Sequence, residues 1–299
     1  MGEFERTGVV HLQGLLSSDE AQEVRRSALE HLGQRPSARV IDLWRLDPAA
    51  RMLACHPRVI TVLEGPFEAR AIPFQTLTFG VGTGQPLHAD SIHFDSFPAG
   101  LMCGVWVALE DVGASQGPLV YVPGSHLLKP IDSMAAIHAG SFDGVLYEQL
   151  VAESVEGMDR VEFHAAAGDA IVWASNLVHG GAPVLDHSST RWSQVTHYFF
   201  AGATYLTPMH SNFTTGELFL RDPLVDIRSG KPLEHVIGGQ EARILRLAAG
   251  RSRIVAPGET VGALDRGLSG LRGVQRRLRW RLWPQRQRVK QVAERCRAH

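Results

Sequence analysis

The spacing of apolar residues changes along the chain, from a helical period near the start to the two-residue alternation of strands further on. Ser17 has the character of a helix cap, acids follow in the first turn, and apolar residues then recur at helical spacing as far as Leu32. Asp47-Pro48 and His56-Pro57 predict two more helices, because proline is favoured in the first turn of a helix. The early part of the chain should therefore contribute helices.

From Ile72 onward the apolar residues follow the pattern of strands separated by turns. Met102–Leu109 is almost entirely apolar, so this strand should be central in a sheet with both faces covered. Gly168-Asp169 is predicted to be a turn that leads into a short buried strand over residues 170–173. Together the patterns predict a mainly β protein with flanking helices, an α+β fold, whose main domain spans residues 1–265.

The last part of the chain differs in charge from the rest. Residues 271–299 contain ten Arg or Lys and one acid, whereas the whole chain has a net charge of −1. Leu271, Val274 and Leu278 lie at helical spacing, so residues 266–299 are predicted to be a basic amphipathic helical tail. We expect the tail to pack on the acidic body of the chain or in a homodimer, with an acidic partner or an anionic membrane surface as alternatives. Nothing else in the sequence supports nucleic-acid binding.

Composition bounds the kind of protein. The chain has 299 residues, of which 44% are hydrophobic and 20% are charged, as is typical of a globular protein. Its three cysteines, Cys55, Cys103 and Cys296, are far apart and odd in number, so no disulfide framework is expected. The sequence has neither a signal-peptide pattern nor an apolar run long enough to span a membrane, so a cytoplasmic location is expected.

Two histidines and one carboxylate form the main candidate for chemistry. His88 and Asp90 flank Ala89, and side chains two residues apart on a strand point to the same side. His179, which precedes a Gly180-Gly181 turn, is our choice for the third ligand. Two imidazoles and a carboxylate on one face are the ligand set of non-haem Fe(II) oxygenases, and they leave coordination positions open.

Arg191 adds a second component to this candidate site. It follows His179 by twelve residues, and its planar guanidinium can hold a carboxylate through two parallel hydrogen bonds. Ser193 lies two residues further on, hence on the same strand face, and could donate another hydrogen bond. The combined set predicts Fe(II) together with an oxo-acid cosubstrate.

A second His-x-Asp pair, His93-Phe94-Asp95, competes with the first as a source of ligands. The two pairs have the same spacing, so spacing does not distinguish between them. If His88 and Asp90 are the ligands, His93 should face the mouth of the site or be a surface-loop histidine. His197 lies in a predicted strand and is expected to pack there and not to bind metal.

Several longer segments connect these candidates to a known family. They are Pro86–Phe94, Gly104–Asp111, Gly117–Leu119, Val122–His126, Gly168-Asp169, His179–Gly181 and Arg191–Ser193, after an opening strand at Gly8–Leu12. With these segments the chain resembles the phytanoyl-CoA dioxygenase-like family of Fe(II)/2-oxoglutarate-dependent oxygenases, over roughly residues 5–230.

The resemblance implies a fold and a set of roles. The implied fold is a double-stranded β-helix, a cupin-like jelly roll that holds the metal inside. His88, Asp90 and His179 match the family's Fe(II) ligands, and the first pair is favoured because an aromatic such as Phe94 usually follows the family's ligand pair. Arg191 matches the residue that binds 2-oxoglutarate, and O2 is the oxidant.

Other positions follow from the same resemblance. Leu77 and Trp106 match positions that line the cosubstrate pocket, and Gln75 is a predicted neighbour on the strand that contains Leu77. A lysine that some members use upstream has no clear counterpart, although Arg39 lies in that stretch. Residues 129–162 correspond to an insertion that covers the active site in the family, which makes them a candidate lid where substrate choice is made.

The expected activity is hydroxylation of a small molecule, with release of succinate and CO2. Asp90 argues against halogenation, because related halogenases have a small residue there and bind chloride instead. Ring closure, desaturation and epimerisation are alternatives, since the outcome depends on how the substrate is positioned. Gln75, Thr76, Thr78 and His93 offer polar contacts, which favours an oxygenated substrate such as a secondary metabolite or a sugar-like molecule.

Two functions from other classes also fit parts of the pattern. A Zn²⁺-dependent isomerase or hydrolase could use two histidines and a carboxylate, but it would leave Arg191 without a role. A non-catalytic binding module on the same fold would not need a complete ligand set.

Overall fold

A computed structural model describes residues 2–32, 39–138, 141–213, 218–221, 224–237, 240–241, 243–246 and 252–255. Its α-helices are α1 (Glu3–Thr7), α2 (Ser18–Leu32), α3 (Pro48–Ala54), α4 (Pro57–Phe67) and α5 (Gly144–Ser154). Its strands are β1 (Val9–Leu12), β2 (Val40–Ile41), β3 (Ala71–Phe79), β4 (Asp95–Phe97), β5 (Met102–Ala108), β6 (Leu119–Tyr121), β7 (Ile137–His138), β8 (Ser141–Phe142), β9 (Val161–Phe163), β10 (Ala170–Ala174), β11 (His179–Gly181), β12 (Ser193–Phe200), β13 (Thr204–Leu206), β14 (Val236–Ile237), β15 (Gln240–Glu241), β16 (Arg243–Arg246) and β17 (Ser252–Val255). The predicted tail, residues 266–299, lies outside the described residues.

The early helices begin where the sequence predicts them. At the start of α2, the Glu20 amide donates to the Ser17 hydroxyl and the Ser17 amide donates to the Glu20 carboxylate. At the start of α3, the Asp47 carboxylate accepts a hydrogen bond from the Ala49 amide at 2.8 Å. Both arrangements satisfy amides that have no partner within the helix, which explains why the helices start at these residues.

The main sheet has six antiparallel strands in the order β1-β10-β5-β12-β3-β2. Every residue of β5 is buried, which confirms the prediction of a central strand. Cys103, Val105 and Val107 belong to the core that includes residues of α2, α3 and α4, whereas Trp106 and Ala108 belong to the core on the other face. The helices therefore cover the outer face of this sheet and leave its inner face for the site.

A smaller antiparallel sheet, in the order β11-β6-β9, faces the inner side of the main sheet. Leu119 and Tyr121 of β6 pack in one cluster with Trp106 of β5 and Trp173 of β10. Two antiparallel sheets packed in this way form the predicted jelly roll, and the flanking helices complete the predicted α+β arrangement.

The predicted lid segment, residues 129–162, contains α5 together with the short strands β7, β8 and β9. Tyr147 of α5 lies behind the candidate ligands, where its hydroxyl is 3.3 Å from both the amide nitrogen and the carbonyl oxygen of Ala89. The described part of the segment thus supports the loop that carries His88 and Asp90, and its role as a lid stays a prediction. No helix in the described part of the chain is long and apolar enough to cross a membrane.

Candidate metal centre

Backbone pairing brings the two candidate histidines together although they are far apart in sequence. The His88 amide donates to the His179 carbonyl at 2.8 Å, and the His179 amide donates to the His88 carbonyl at 2.9 Å. Gly180 permits the close approach, since a Cβ at this position would lie 2.7 Å from the Gln85 carbonyl oxygen. The loop before Asp90 therefore forms a bridge with the first residue of β11.

The prediction that His88 and Asp90 lie on one strand is wrong, because Asp90 begins a 3-10 turn that continues to Ile92. Ala89 is extended, with φ −120° and ψ 136°. One extended residue is sufficient to direct the two flanking side chains to the same side. The conclusion that His88 and Asp90 point to one place is thus correct, although the element is different.

Both imidazoles are oriented by the carbonyl group of a residue two positions earlier in the chain. The Nδ1 atom of His88 is 2.9 Å from the Pro86 oxygen, and that of His179 is 3.0 Å from the Leu177 oxygen. A carbonyl oxygen can only accept, so Nδ1 carries the proton in each ring and the Nε2 lone pair remains available. Hydrogen bonds of this kind fix the tautomer and orientation of metal-binding histidines.

The two Nε2 atoms and one oxygen of Asp90 converge on one point. Oδ1 of Asp90 is 3.9 Å from Nε2 of His88 and 3.9 Å from Nε2 of His179. One ligand atom from each residue lies within 4.8 Å of the other two, and these residues are the only such group of three in the part of the chain that is described. The three donors are close enough to share one ion.

The second oxygen of Asp90 is held by residues of two central strands. Nε1 of Trp173, on β10, donates to Oδ2 at 2.8 Å, and Nε2 of His197, on β12, lies 3.4 Å from the same oxygen. Gly104 of β5 makes room for the indole, because a Cβ there would collide with its ring. With Oδ2 occupied in this way, Oδ1 is the oxygen directed towards the histidines.

The site favours the protonation states that a metal requires. Burial and the neighbouring His179 lower the pKa of His88 to about 4, so its ring is neutral near pH 7. Burial alone would raise the pKa of Asp90, but the imidazoles of His179 and His197 hold it well below its usual value. A neutral imidazole and an ionised carboxylate are the forms that bind metal, and two histidines with one carboxylate fit Fe(II).

The candidate ligands lie in a cavity of about 430 Å³ that Arg191 also lines. Arg191 is buried, with Cζ 5.8 Å from the ring centre of Phe79 and 5.9 Å from that of Trp106. Its Nη1 donates to the Gly117 carbonyl at 3.0 Å, while its Nε and the Trp106 Nε1 are buried donors without a partner. Burial lowers the pKa of Arg191 to about 10. Such donors suit the carboxylate of a bound oxo-acid.

The other residues predicted to contact cosubstrate or substrate differ in whether they line the cavity. Gln75, Leu77 and Trp106 line the cavity. Thr76 and Thr78 are buried and are absent from its lining, so their expected contact with substrate is wrong. This signal was available in the sequence, because alternation along β3 places Thr76 and Thr78 on the opposite face from Leu77, which the resemblance places at the pocket.

Ser193 lies on the inner face with Arg191 but does not line the cavity. Its buried hydroxyl is 3.5 Å from the Arg191 carbonyl oxygen. Its contact with 2-oxoglutarate therefore stays a prediction.

His93 and Asp95, the rival ligand pair, lie in different surroundings. His93 lines the cavity, with Nδ1 3.1 Å from the Met209 sulfur, and burial lowers its pKa to about 4. Asp95 begins β4 and accepts a hydrogen bond from the Ser96 amide, and burial raises its pKa to about 7. His93 therefore has the predicted place at the cavity wall without a carboxylate that would complete a metal site. Arg39 also lines the cavity.

Three residues at the site were not predicted to be there. His197 does lie in a strand as expected, but alternation along β12 places it on the same face as Arg191, and this signal was available in the sequence. Trp173 stood in a predicted strand, yet nothing in the spacing directed its indole to Asp90. Arg221 lines the cavity from an irregular segment after β13, where periodicity gives no indication of direction.

The phytanoyl-CoA dioxygenase (PhyH) family model matches residues 4–192. The chain belongs to the phytanoyl-CoA dioxygenase family. It is accordingly a non-haem enzyme that depends on Fe(II), 2-oxoglutarate and O2, and the His-Asp-His group is present at the expected position. No sequence among the curated proteins matches this chain.

Solved structures with the same fold include enzymes of different reaction types. The alpha-ketoglutarate-dependent epimerase SnoN from nogalamycin biosynthesis is 26% identical, with a TM-score of 0.57, and the match covers 77% of this chain and 92% of SnoN. The carbocyclase SnoK from the same biosynthesis is 21% identical, with a TM-score of 0.57 and coverage of 78% and 91%. EctD from S. alaskensis, solved with 2-oxoglutarate and 5-hydroxyectoine, is 19% identical, with a TM-score of 0.54 and coverage of 69% and 77%.

Proposed function

We propose that this chain hydroxylates a small oxygenated molecule, with His88, Asp90 and His179 as the Fe(II) ligands and Arg191 as the residue that binds 2-oxoglutarate. The observation that carries the proposal is the convergence of three ligand atoms within 4.8 Å in a cavity that also contains a buried guanidinium without a carboxylate partner among the described residues. A Zn²⁺-dependent hydrolase would need the ligands but would give Arg191 nothing to bind.

The residues of the chain have separate tasks in this reaction. Bound Fe(II) with 2-oxoglutarate and O2 supplies the oxidising chemistry, which yields succinate and CO2 and removes a hydrogen atom from the substrate. Trp173 holds Asp90 so that a single oxygen faces the ion, and the Pro86 and Leu177 carbonyls keep the imidazoles in the metal-binding tautomer. Arg191 orients the far carboxylate, and the apolar walls limit access of water.

Epimerisation is the second candidate outcome. It is favoured by the likeness to SnoN, an epimerase that is 26% identical over 77% of this chain. Ring closure has weaker support, from the fold of the carbocyclase SnoK alone. Product masses distinguish the three reactions, since hydroxylation adds one oxygen atom, ring closure removes two hydrogens and epimerisation leaves the mass unchanged.

The direct test measures succinate formed from 2-oxoglutarate under air with added Fe(II). We expect turnover by the unaltered chain and its loss in His179→Ala, because two ligands hold the ion poorly. His164→Ala is the matched control, since His164 is exposed, pairs with Glu162 and lies outside the cavity lining. No succinate and no Fe(II) binding by the unaltered chain would contradict the proposal.

We also propose a cytoplasmic location, supported by the free thiols of Cys55 and Cys103, the two cysteines among the described residues. A homodimer or an acidic partner held by the basic tail remains part of the same proposal, and its support is the charge of residues 271–299.

A further inference from the structure

A second arginine, Arg221, lines the same cavity as Arg191 and is half-buried. The guanidinium of Arg221 lies over aromatic rings, with Cζ 4.6 Å from the ring centre of Phe94 and 5.6 Å from that of Phe74. Its Nη1 is 3.3 Å from the Thr207 hydroxyl, and its Nε is buried without a hydrogen-bond partner. Burial lowers the pKa of Arg221 to about 10, as it does for Arg191. Arg221 is thus a largely desolvated cation with unused donors.

Several arginines elsewhere in the described part of the chain have carboxylate or backbone carbonyl partners. Arg25, Arg70 and Arg228 pair with Glu110, Asp226 and Glu64, and Arg51 and Arg58 donate to backbone carbonyl oxygens. No carboxylate of the described residues lies within 4.0 Å of Arg221, and the more distant Asp42 only partly opposes the effect of burial on its pKa. A half-buried cation without an adjacent anion costs free energy on folding, and a ligand that brings the anion would offset that cost.

The position of Arg221 separates it from the cosubstrate arginine. Phe79, beside Arg191, and Phe74, beside Arg221, are five residues apart on β3, which corresponds to about 17 Å along a strand. The metal site lies near Phe74, because Nε2 of His197 is 3.4 Å from Oδ2 of Asp90 and the ring centre of His197 is 6.1 Å from that of Phe74. Arg221 is therefore close to the metal ligands but far along the strand from the proposed site of the 2-oxoglutarate carboxylate.

The backbone holds Arg221 firmly in this place. The Arg221 amide donates to the Tyr205 carbonyl at 3.0 Å, and the Thr207 amide donates to the Phe219 carbonyl at 2.9 Å. These bonds add residues 219–221 to the edge of β13. The segment lies beyond residues 4–192, which the family model matches, so the family pattern does not account for it.

We propose that Arg221 binds an oxyanion of the substrate, a carboxylate or a phosphate, beside the metal site and away from Arg191. This inference rests on the proposed function, since it requires a substrate in the same cavity. A guanidinium can grip either oxyanion through two parallel hydrogen bonds, and the ring of Phe94, which also lines the cavity, offers an apolar surface to the carbon skeleton. The substrate class is thereby narrowed to small acids.

The test uses the full chain loaded with Zn(II) and saturated with 2-oxoglutarate, so that Arg191 is occupied and no turnover occurs. Benzoate, phenyl phosphate and the neutral benzamide are titrated calorimetrically at low ionic strength. We expect each anion to bind about tenfold more tightly than benzamide, as is usual for a charge-assisted hydrogen bond. A preference for only one anion would identify the oxyanion as carboxylate or phosphate.

Substitutions test whether Arg221 causes the preference for the anions over benzamide. Arg221→Gln should remove it without changing the affinity for 2-oxoglutarate, and Arg221→Lys should retain part of it because the positive charge remains. Arg45→Gln is the matched control, since Arg45 also lies over an aromatic ring, Trp44, but does not line the cavity. The control should keep the full preference.

Three results would overturn the inference while leaving the proposed function intact. They are equal binding of benzoate, phenyl phosphate and benzamide, a preference that survives in Arg221→Gln, and loss of 2-oxoglutarate binding in that variant. Failure of all three probes to bind would also overturn it. Failure of the unaltered chain to bind 2-oxoglutarate would instead contradict the proposed function.

Discussion

At the scale of single residues, Asp90 has the most demanding role at the site. One of its oxygens faces two imidazoles and the other accepts a hydrogen bond from an indole, so its position is defined from both sides. Asp95, in the rival His-x-Asp pair, accepts a hydrogen bond from its neighbour's amide and takes no part in the three-residue group. The two aspartates have the same local pattern and different surroundings.

These surroundings predict that replacing each aspartate by asparagine has a different effect on metal affinity. Asp90→Asn should weaken Co(II) or Fe(II) binding by more than the ~10- to 100-fold typical of losing a group that only orients a ligand. Asp95→Asn is the matched control and should leave metal affinity unchanged. Metal titration followed by the absorption of bound Co(II) measures both. Equal loss in the two variants would mean that the ligand pair is assigned incorrectly.

Trp173 is expected to act through Asp90 and not on the ion itself. Trp173→Phe removes the 2.8 Å hydrogen bond to Oδ2 while keeping an aromatic ring, so metal affinity should fall about tenfold. Trp192→Phe is the control, because Trp192 is equally buried, its Nε1 has no partner and it packs in the outer core. If both variants bind Co(II) like the unaltered chain, the indole does not position Asp90.

At the scale of elements, the site depends on the close packing of β10 against β5. Gly104 and Trp173 face each other across these strands, and the indole occupies the space that a Cβ of residue 104 would need. A glycine in the middle of a central strand ordinarily weakens it, and here it allows the tryptophan to reach Asp90.

Gly104→Ala should therefore disturb both stability and metal binding. We expect a loss of about 1–3 kcal/mol in the free energy of unfolding, as is typical of an overpacked core, together with weaker Co(II) binding because the indole must move. Gly65→Ala is the control, since a Cβ on that α4 residue would have nothing within 4 Å and alanine favours helix. Chemical denaturation and Co(II) titration measure the two effects, and a Gly104→Ala protein as stable as Gly65→Ala would disprove this account of the packing.

At the scale of the whole molecule, the jelly roll and the charged tail are expected to be separable. The described residues already contain both sheets, the covering helices and every proposed ligand. The predicted tail, residues 266–299, carries most of its charge as Arg and contributes none of these parts. Its interaction with the acidic body or with a second copy should be electrostatic and thus sensitive to salt.

A chain shortened to residues 1–265 should keep 2-oxoglutarate and metal binding. Full-length protein should change its sedimentation coefficient between low and high salt, because salt screens the contacts of the tail, and the shortened chain should not. Sedimentation velocity at two ionic strengths measures this difference. If the two chains respond to salt alike, the tail does not make these contacts.

Much of the fold and part of the site could be predicted from local sequence. The capped starts of α2 and α3 and the fully buried β5 follow from patterns within a few residues of one another, and the family match follows from short segments spread over residues 4–192. His88, Asp90, His179 and Arg191 stood out because their residue types are rare in combination. The strand expected at His88 and Asp90 failed, since one extended residue produces the same side-chain direction as a whole strand.

The amino-acid sequence by itself determined which elements form and which residues can bind a metal and an oxo-acid, because both depend on residue type and short-range spacing. Only the tertiary structure decided which His-x-Asp pair meets His179, and that Trp173 and Arg221 reach the site. The physical reason is that these are contacts between residues far apart in the chain. Packing selects them among many apolar arrangements with the same local pattern, so no period in the sequence records them.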